Sequence, residues 1–126
     1  MKHETDVAEH LPLTPPVFHI LLALADEERH GYAIIMEVAR RTDGAVKLGS
    51  GTLYAAIKRL LQIGIIEETE DRPAPEADDE RRRYYRITEL GLLVAQAEVD
   101  RMAQLLTIAA DKRLHSRVPT LGSRSK

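Results

Sequence analysis

Cysteine is absent from the 126-residue chain. That excludes disulfides, thiol catalysis and thiolate metal sites, and it fits a reducing cytoplasm. Tryptophan is absent as well, and aromatic residues make up only 4%. The core must therefore be aliphatic, built from Leu, Ile, Val and Ala. No apolar run approaches the roughly 18 residues of a membrane span, and the N-terminus has no signal-peptide pattern, so a cytoplasmic protein is expected. There is no Gly-rich phosphate loop, no nucleophile elbow and no convergent Ser-His-Asp pattern, so no enzyme is expected. The five histidines are scattered. No pair has the helical spacing of metal ligands, and His19 suits packing or surface better than a metal. The acid cluster at 76–80 lacks the Gly and terminal Glu of an EF-hand loop. No metal and no cofactor is expected.

An excess of positive charge is also missing. The formal net charge is −2 and the pI about 6.2. A nucleic-acid binder is often basic overall, so the global number argues mildly against one. The local distribution argues the other way. Residues 44–63 contain Lys47, Lys58 and Arg59 and no acid, and Arg81, Arg82 and Arg83 form a second basic cluster. Charge acts within a Debye length of roughly 8–10 Å, so the local field matters more.

One domain is expected, with room for a modest core. Residues 1–12 are polar and aperiodic and read as a disordered head. Thr14 is an N-cap candidate with Pro15 at the first helical position. Val17, Ile20, Leu21 and Leu24 form the apolar stripe of a first helix. A second helix is expected over 31–42, with Tyr32, Ile35, Met36 and Ala39 buried and Asp43-Gly44 as its stop. Val46, Lys47 and Leu48 allow one short strand. Gly49-Ser50-Gly51 turns the chain into a third helix that ends at Gly64. Strands follow at 65–69 and 83–87, separated by a Pro-rich, acidic loop. Three helices followed by a β-hairpin is the order of a winged helix-turn-helix, assigned to residues 13–88.

Thr88 is the expected N-cap of a long fourth helix over 89–114. Within it Leu92, Ala95, Val99, Met102, Leu106 and Ala109 are spaced three, four, three, four, three. Such a seam either packs on the protein's own core or on a second copy, and its length favours a homodimer. Residues 115–126 read as a disordered tail. The fold class is mainly α: a winged helix-turn-helix with a two- or three-stranded wing plus one long C-terminal dimerisation helix.

The third helix has two faces. At 3.6 residues per turn, Leu53, Ile57, Leu60 and Leu61 fall on one side. Gly51, Ala55, Lys58, Arg59 and Gln62 fall on the other, with Thr52 and Tyr54 on the flanks. The outward face is small, polar and cationic. Such a face lets a backbone approach a phosphate-lined groove, where Lys58 and Arg59 meet phosphates or base edges. Ser50 and Thr52 either cap the helix or offer hydroxyls and N–H groups to a phosphate. Tyr54 either holds the helix to the core or presents its phenol to DNA. Arg81, Arg82 and Arg83 either grip the DNA backbone at the base of the wing or pair with Glu76, Asp78, Asp79 and Glu80. Residues 70–83 hold six acids and four arginines, so the wing tip itself should be repelled by phosphate.

Gly51-Thr52-Leu53-Tyr54, followed by Arg59-Leu60 and Gly64-Ile65-Ile66, resembles the recognition-helix segment of PadR-type transcriptional regulators. His30-Gly31-Tyr32-Ala33-Ile34 resembles the start of that family's second helix. Residues 82–91 resemble its wing-exit strand and the start of its last helix. The three pieces stand in the family's order and cover roughly residues 13 to 110. One departure is Ala55, where the family often has Pro. The resemblance implies a winged-helix repressor, a homodimer on double-stranded operator DNA, and a Tyr at position 54 used near DNA. It also implies a small-molecule inducer that shifts dimer geometry and releases DNA. Some relatives stack flat aromatic ligands on an interface Trp, which this chain lacks. Two alternatives stay open: a cavity between the fourth helices, lined by Met102 and its Leu and Val neighbours, or no inducer, with expression level alone setting repression. A second reading, from the acidic wing and the near-neutral pI, is a winged helix that docks a protein partner.

Overall fold

The computed structural model describes residues 7–69, 72–73 and 81–114. Besides a helical turn at 7–9, the described residues form, in order, α1 (Pro15–Leu24), β1 (Arg29–His30), α2 (Gly31–Arg41), α3 (Ser50–Gln62), β2 (Ile66–Glu68), β3 (Arg72–Pro73), β4 (Arg81–Arg82), β5 (Tyr84–Ile87) and α4 (Glu89–Asp111). The fold is the winged helix that the element order predicts, with the long last helix present.

The ends of the helices follow from their sequences. Thr14 caps α1 by accepting from the Val17 N–H, with Pro15 in the first turn. His30 caps α2, its Nδ1 accepting from the Ala33 N–H at 3.1 Å. α3 stops in a Schellman turn. Gly64 takes φ +81°, the Ile65 N–H donates to the Leu60 carbonyl at 3.0 Å, and the Gly64 N–H donates to the Leu61 carbonyl. Only a residue without Cβ adopts that backbone at no steric cost, so the helix ends there and β2 begins at once.

The wing is a three-stranded antiparallel sheet in the order β1-β5-β2. Arg29 faces Tyr85 and His30 faces Tyr84 on one side of β5. Ile66 faces Ile87 and Glu68 faces Tyr85 on the other. A separate ribbon pairs Arg72 with Arg82 and Pro73 with Arg81. The short strand allowed at 46–48 is not formed. Leu48 is buried, but the backbone there joins no ladder. The edge of β5 where a third strand could pair is taken by Arg29–His30.

The core is aliphatic, as the lack of aromatics requires. It gathers Ile20, Leu21 and Leu24 from α1, Ile34 and Val38 from α2, and Leu53, Ile57 and Leu60 from α3. Ile65, Ile66 and Tyr85 close it from the wing side and Val94 from α4. α2 differs from expectation. Its buried residues are Gly31, Ile34, Glu37 and Val38, while Tyr32 and Met36 are 59% and 51% exposed. Of the apolar stripe evident in the sequence, Tyr32 and Met36 face outward, while Ile35 and Ala39 are half-buried. The inner side carries Glu37, a carboxylate that an apolar pattern excludes. Arginines from two elements meet its charge.

Residues 7–13 also differ from the disordered head expected over 1–12. They include a helical turn at 7–9, and Val7, Leu11 and Leu13 pack against the core. The Leu13 N–H donates to Glu98 Oε1 at 3.2 Å, which ties this segment to α4. The physical reason is the three aliphatic side chains, spaced too irregularly to signal an element. Residues 1–6, the expected tail at 115–126 and the acidic tip at 74–80 lie outside the described residues.

Candidate nucleic-acid interface

α3 presents the face expected of it. Leu53, Ile57 and Leu60 are buried, and Ser50, Gly51, Thr52, Tyr54, Ala55, Lys58, Arg59 and Gln62 are exposed. Its N-cap is Gly49, and no side chain caps the helix. Ser50 and Thr52 therefore sit inside the first turn without the capping bond that was their alternative role. The helix begins with uncapped N–H groups, two exposed hydroxyls and the positive end of its dipole. That combination suits an anion.

Tyr54 is 48% exposed. Its inner edge lies against the start of α2. A methyl group built on Gly31 would come within 2.1 Å of the Tyr54 hydroxyl oxygen and 2.6 Å of Cζ. The ring thus has a structural seat and an open side at the same time.

Lys58 and Arg59 flank the outermost line of the helix on opposite sides. Neither has a carboxylate partner among the described residues. Arg59 also borders a cleft between α3 and the N-terminal segment, shared with Glu9, His10, Leu13, Val17 and Ile63. Its position is therefore peripheral, which suits a phosphate better than a base edge.

The wing arginines divide. Arg81 and Arg82 form β4 through their backbone. Arg83 is exposed and lies 3.4 Å from the Glu68 carboxylate, so its charge is partly answered within the wing. Arg86 pairs with Glu67 across the ladder at 2.6 Å and approaches Glu28 at 3.7 Å. The acidic tip expected to pair with Arg81, Arg82 and Arg83 lies outside the described residues; within them, Arg83 and Arg86 pair with glutamates of β2. The alternation of Glu67-Glu68 against Arg83 and Arg86 is the signal that could have revealed them.

Among the described residues two carboxylates are buried, Glu37 on α2 and Glu98 on α4. Glu37 accepts from Arg40 at 2.7 Å and from Arg41, with Arg29 at 3.7 Å. The hydrogen bonds from Arg40 and Arg41 outweigh burial and hold its carboxyl down to about 2. Arg29 in turn donates to the Ala23 carbonyl at 2.7 Å and approaches Asp26 and Glu27. This network fixes the turn between α1 and α2. Glu98 on α4 is paired with Arg101 at 2.6 Å. That hydrogen bond, helped by the Leu13 N–H, lowers its carboxyl below the ordinary value against the opposing effect of burial.

On α4 only Gly91, Val94 and Glu98 are buried. Of the six seam residues, Leu92, Val99 and Leu106 are exposed, and Ala95, Met102 and Ala109 are half-buried. Ala95 packs partly against the protein's own core. Leu105 and Ile108 are exposed as well, so the second half of the helix carries apolar side chains that no described residue covers. Among the described residues no His, Cys, Asp or Glu cluster forms a metal site, and no helix is long and apolar enough to cross a membrane.

The model of the transcriptional regulator PadR-like family matches residues 20–97. An uncharacterised protein from Lysinibacillus sphaericus is 36% identical over 72 residues, which are 57% of this chain and 63% of that protein. The chain thus spans under two thirds of the length of that curated relative. A transcriptional regulator from Clostridium thermocellum superposes with a TM-score of 0.60 at 28% identity, over 76% of this chain and 86% of that one. A PadR family transcription regulator from Clostridium difficile gives 0.64 at 22% identity, over 79% and 97%, and supports the fold.

Proposed function

The chain belongs to the PadR-like family of transcriptional regulators, and from that membership we propose that it is a sequence-specific, homodimeric DNA-binding repressor. The observation that carries the proposal is the outer face of α3. It is uncapped, exposed and free of acids, and its two cations lack carboxylate partners among the described residues. A dimer would place two copies of α3 in successive major grooves, with half-sites about one helical turn apart. Lys58 faces base edges, while Arg59, the Ser50 and Thr52 hydroxyls and Tyr54 meet the backbone and groove edge. Arg81, Arg82 and Arg83 grip flanking phosphates from the base of the wing. Arg83 must first give up part of its pairing with Glu68, so it adds less than an unpaired arginine would.

The dimer forms through the apolar seam of α4. Leu92, Val99, Met102, Leu106 and Ala109, with Ala95 at the border, meet the same surface of a second copy. An inducer binds between the paired helices near Met102 and changes the separation of the two α3 copies.

Replacing both Lys58 and Arg59 by Ala tests the face directly. Operator affinity should fall at least tenfold at moderate salt. The slope of log K against log salt should shrink by about 0.9 for each phosphate that is no longer neutralised. Wild-type affinity in that variant would move the interface elsewhere.

A further inference from the structure

The Tyr54 phenol lies directly over Gly31, so that even one added methyl would meet it at 2.1 Å. The two residues belong to different helices. Gly31 is the first residue of α2, immediately after the His30 cap, and Tyr54 lies in the second turn of α3. Gly31 has no positive φ. Its lack of a side chain is thus explained by this close approach and not by backbone conformation.

A half-exposed tyrosine on a helix surface samples several rotamers. Here one rotamer has a seat, the bare first turn of α2, with the ring edge against it and the other side open. The seat does two things at once. It stops the phenol from swinging along the face that carries Lys58, and it fixes the approach of α3 to α2. Side chains held by a supporting neighbour act within tenths of an ångström, and a looser site loses function before it loses fold.

We propose that Gly31 is a positioning residue for DNA recognition, acting by seating the Tyr54 phenol in the orientation presented to DNA. This rests on the DNA-binding reading of α3. Nothing in it requires Gly31 to touch DNA.

The test is a double-mutant cycle on the full chain, with Gly31→Ala, Tyr54→Ala and the double variant. Each is titrated against a duplex selected by the wild-type protein from a random-sequence pool. Gly31→Ala should stay folded. Alanine is the better helix former at that position, and the atoms it meets are the far end of a side chain with room to move outward. Melting temperature checks this. A nuclear Overhauser cross-peak between the Tyr54 ring and the Gly31 Hα protons should be present in the wild type, and its counterpart absent in Gly31→Ala. Each single variant should weaken binding by about tenfold, and adding Gly31→Ala to Tyr54→Ala should change affinity by less than about twofold.

The inference is overturned if Gly31→Ala binds as the wild type does, or if its effect is the same with and without Tyr54. It is overturned equally if Tyr54→Ala costs nothing. A wild-type protein that selects no duplex at all would remove the DNA-binding reading and this inference together. A wild type that binds while Gly31→Ala binds equally well removes only the inference.

Discussion

Glu37 shows how a single residue can contradict a hydrophobic pattern and still stabilise the fold. Its side chain is 6% exposed, yet it is charged, because three arginines surround it. Replacing it by Ala removes a partner shared by α2 and the turn after α1. The expected loss is about 1–3 kcal/mol, read as a lower melting temperature. An isosteric Gln, which keeps some hydrogen bonding, should lose less. The pH dependence follows from the direction of the shift. The folded-state value of about 2 lies below the ordinary 4.5, so the unfolded chain binds the proton first. The stabilisation is complete above the ordinary value and is lost as pH falls from about 4.5 toward 2. Glu98 shifts the same way and adds to the loss. Thermal melts at pH 7, 4.5 and 3 should show a steeper decline in the wild type than in Glu37→Gln. Equal declines would mean that Glu37 is not the group titrating.

At the scale of elements, the junction between α3, the wing and α4 is held by a dense set of short approaches. Thr88 caps α4 by accepting from the Gly91 N–H at 3.0 Å. Its hydroxyl also lies 2.6 Å from the Gly64 carbonyl and 2.9 Å from that of Ile65, to one of which it donates. A Cβ at Gly91 would fall 2.2 Å from the Ile65 carbonyl oxygen, which is backbone and has no easy escape. Gly91→Ala should therefore destabilise by about 1–3 kcal/mol, in a denaturant titration, by forcing α4 away from the end of α3. Much of this architecture was legible in the sequence, because caps, stops and the phase of α3 are local. Thr14, Thr88 and Gly64 act where their chemistry places them, and Leu53, Ile57 and Leu60 are buried as their spacing requires. The phase of α2 was not legible. Its inner face depends on arginines from two elements gathering around Glu37, and no periodicity records that. The seat of Tyr54 on Gly31 depends on long-range approach in the same way. The N-terminal segment was missed because its tie to Glu98 spans 85 positions.

At the scale of the whole molecule, α4 carries an apolar surface that none of the described residues covers. Leu105, Leu106 and Ile108 on α4 are each at least 44% exposed. Single exposed leucines are ordinary, but a run along one helix is what the proposed dimer would bury. Leu106→Asp should leave the winged helix folded, as far-ultraviolet dichroism would show, while sedimentation shifts from dimer to monomer. Operator affinity should fall with it, since two half-sites bound independently lose the gain from linkage. An unchanged dimer would place the second copy elsewhere. The central claim, that the outer face of α3 reads DNA, is tested most directly by titrating the protein against the DNA upstream of its own coding region. Fluorescence anisotropy at two salt concentrations, with a scrambled duplex as control, supplies the readout. The account predicts tight binding that prefers the native duplex and weakens steeply with salt. No binding to any duplex at low salt would contradict it and turn attention to a protein partner for the same face.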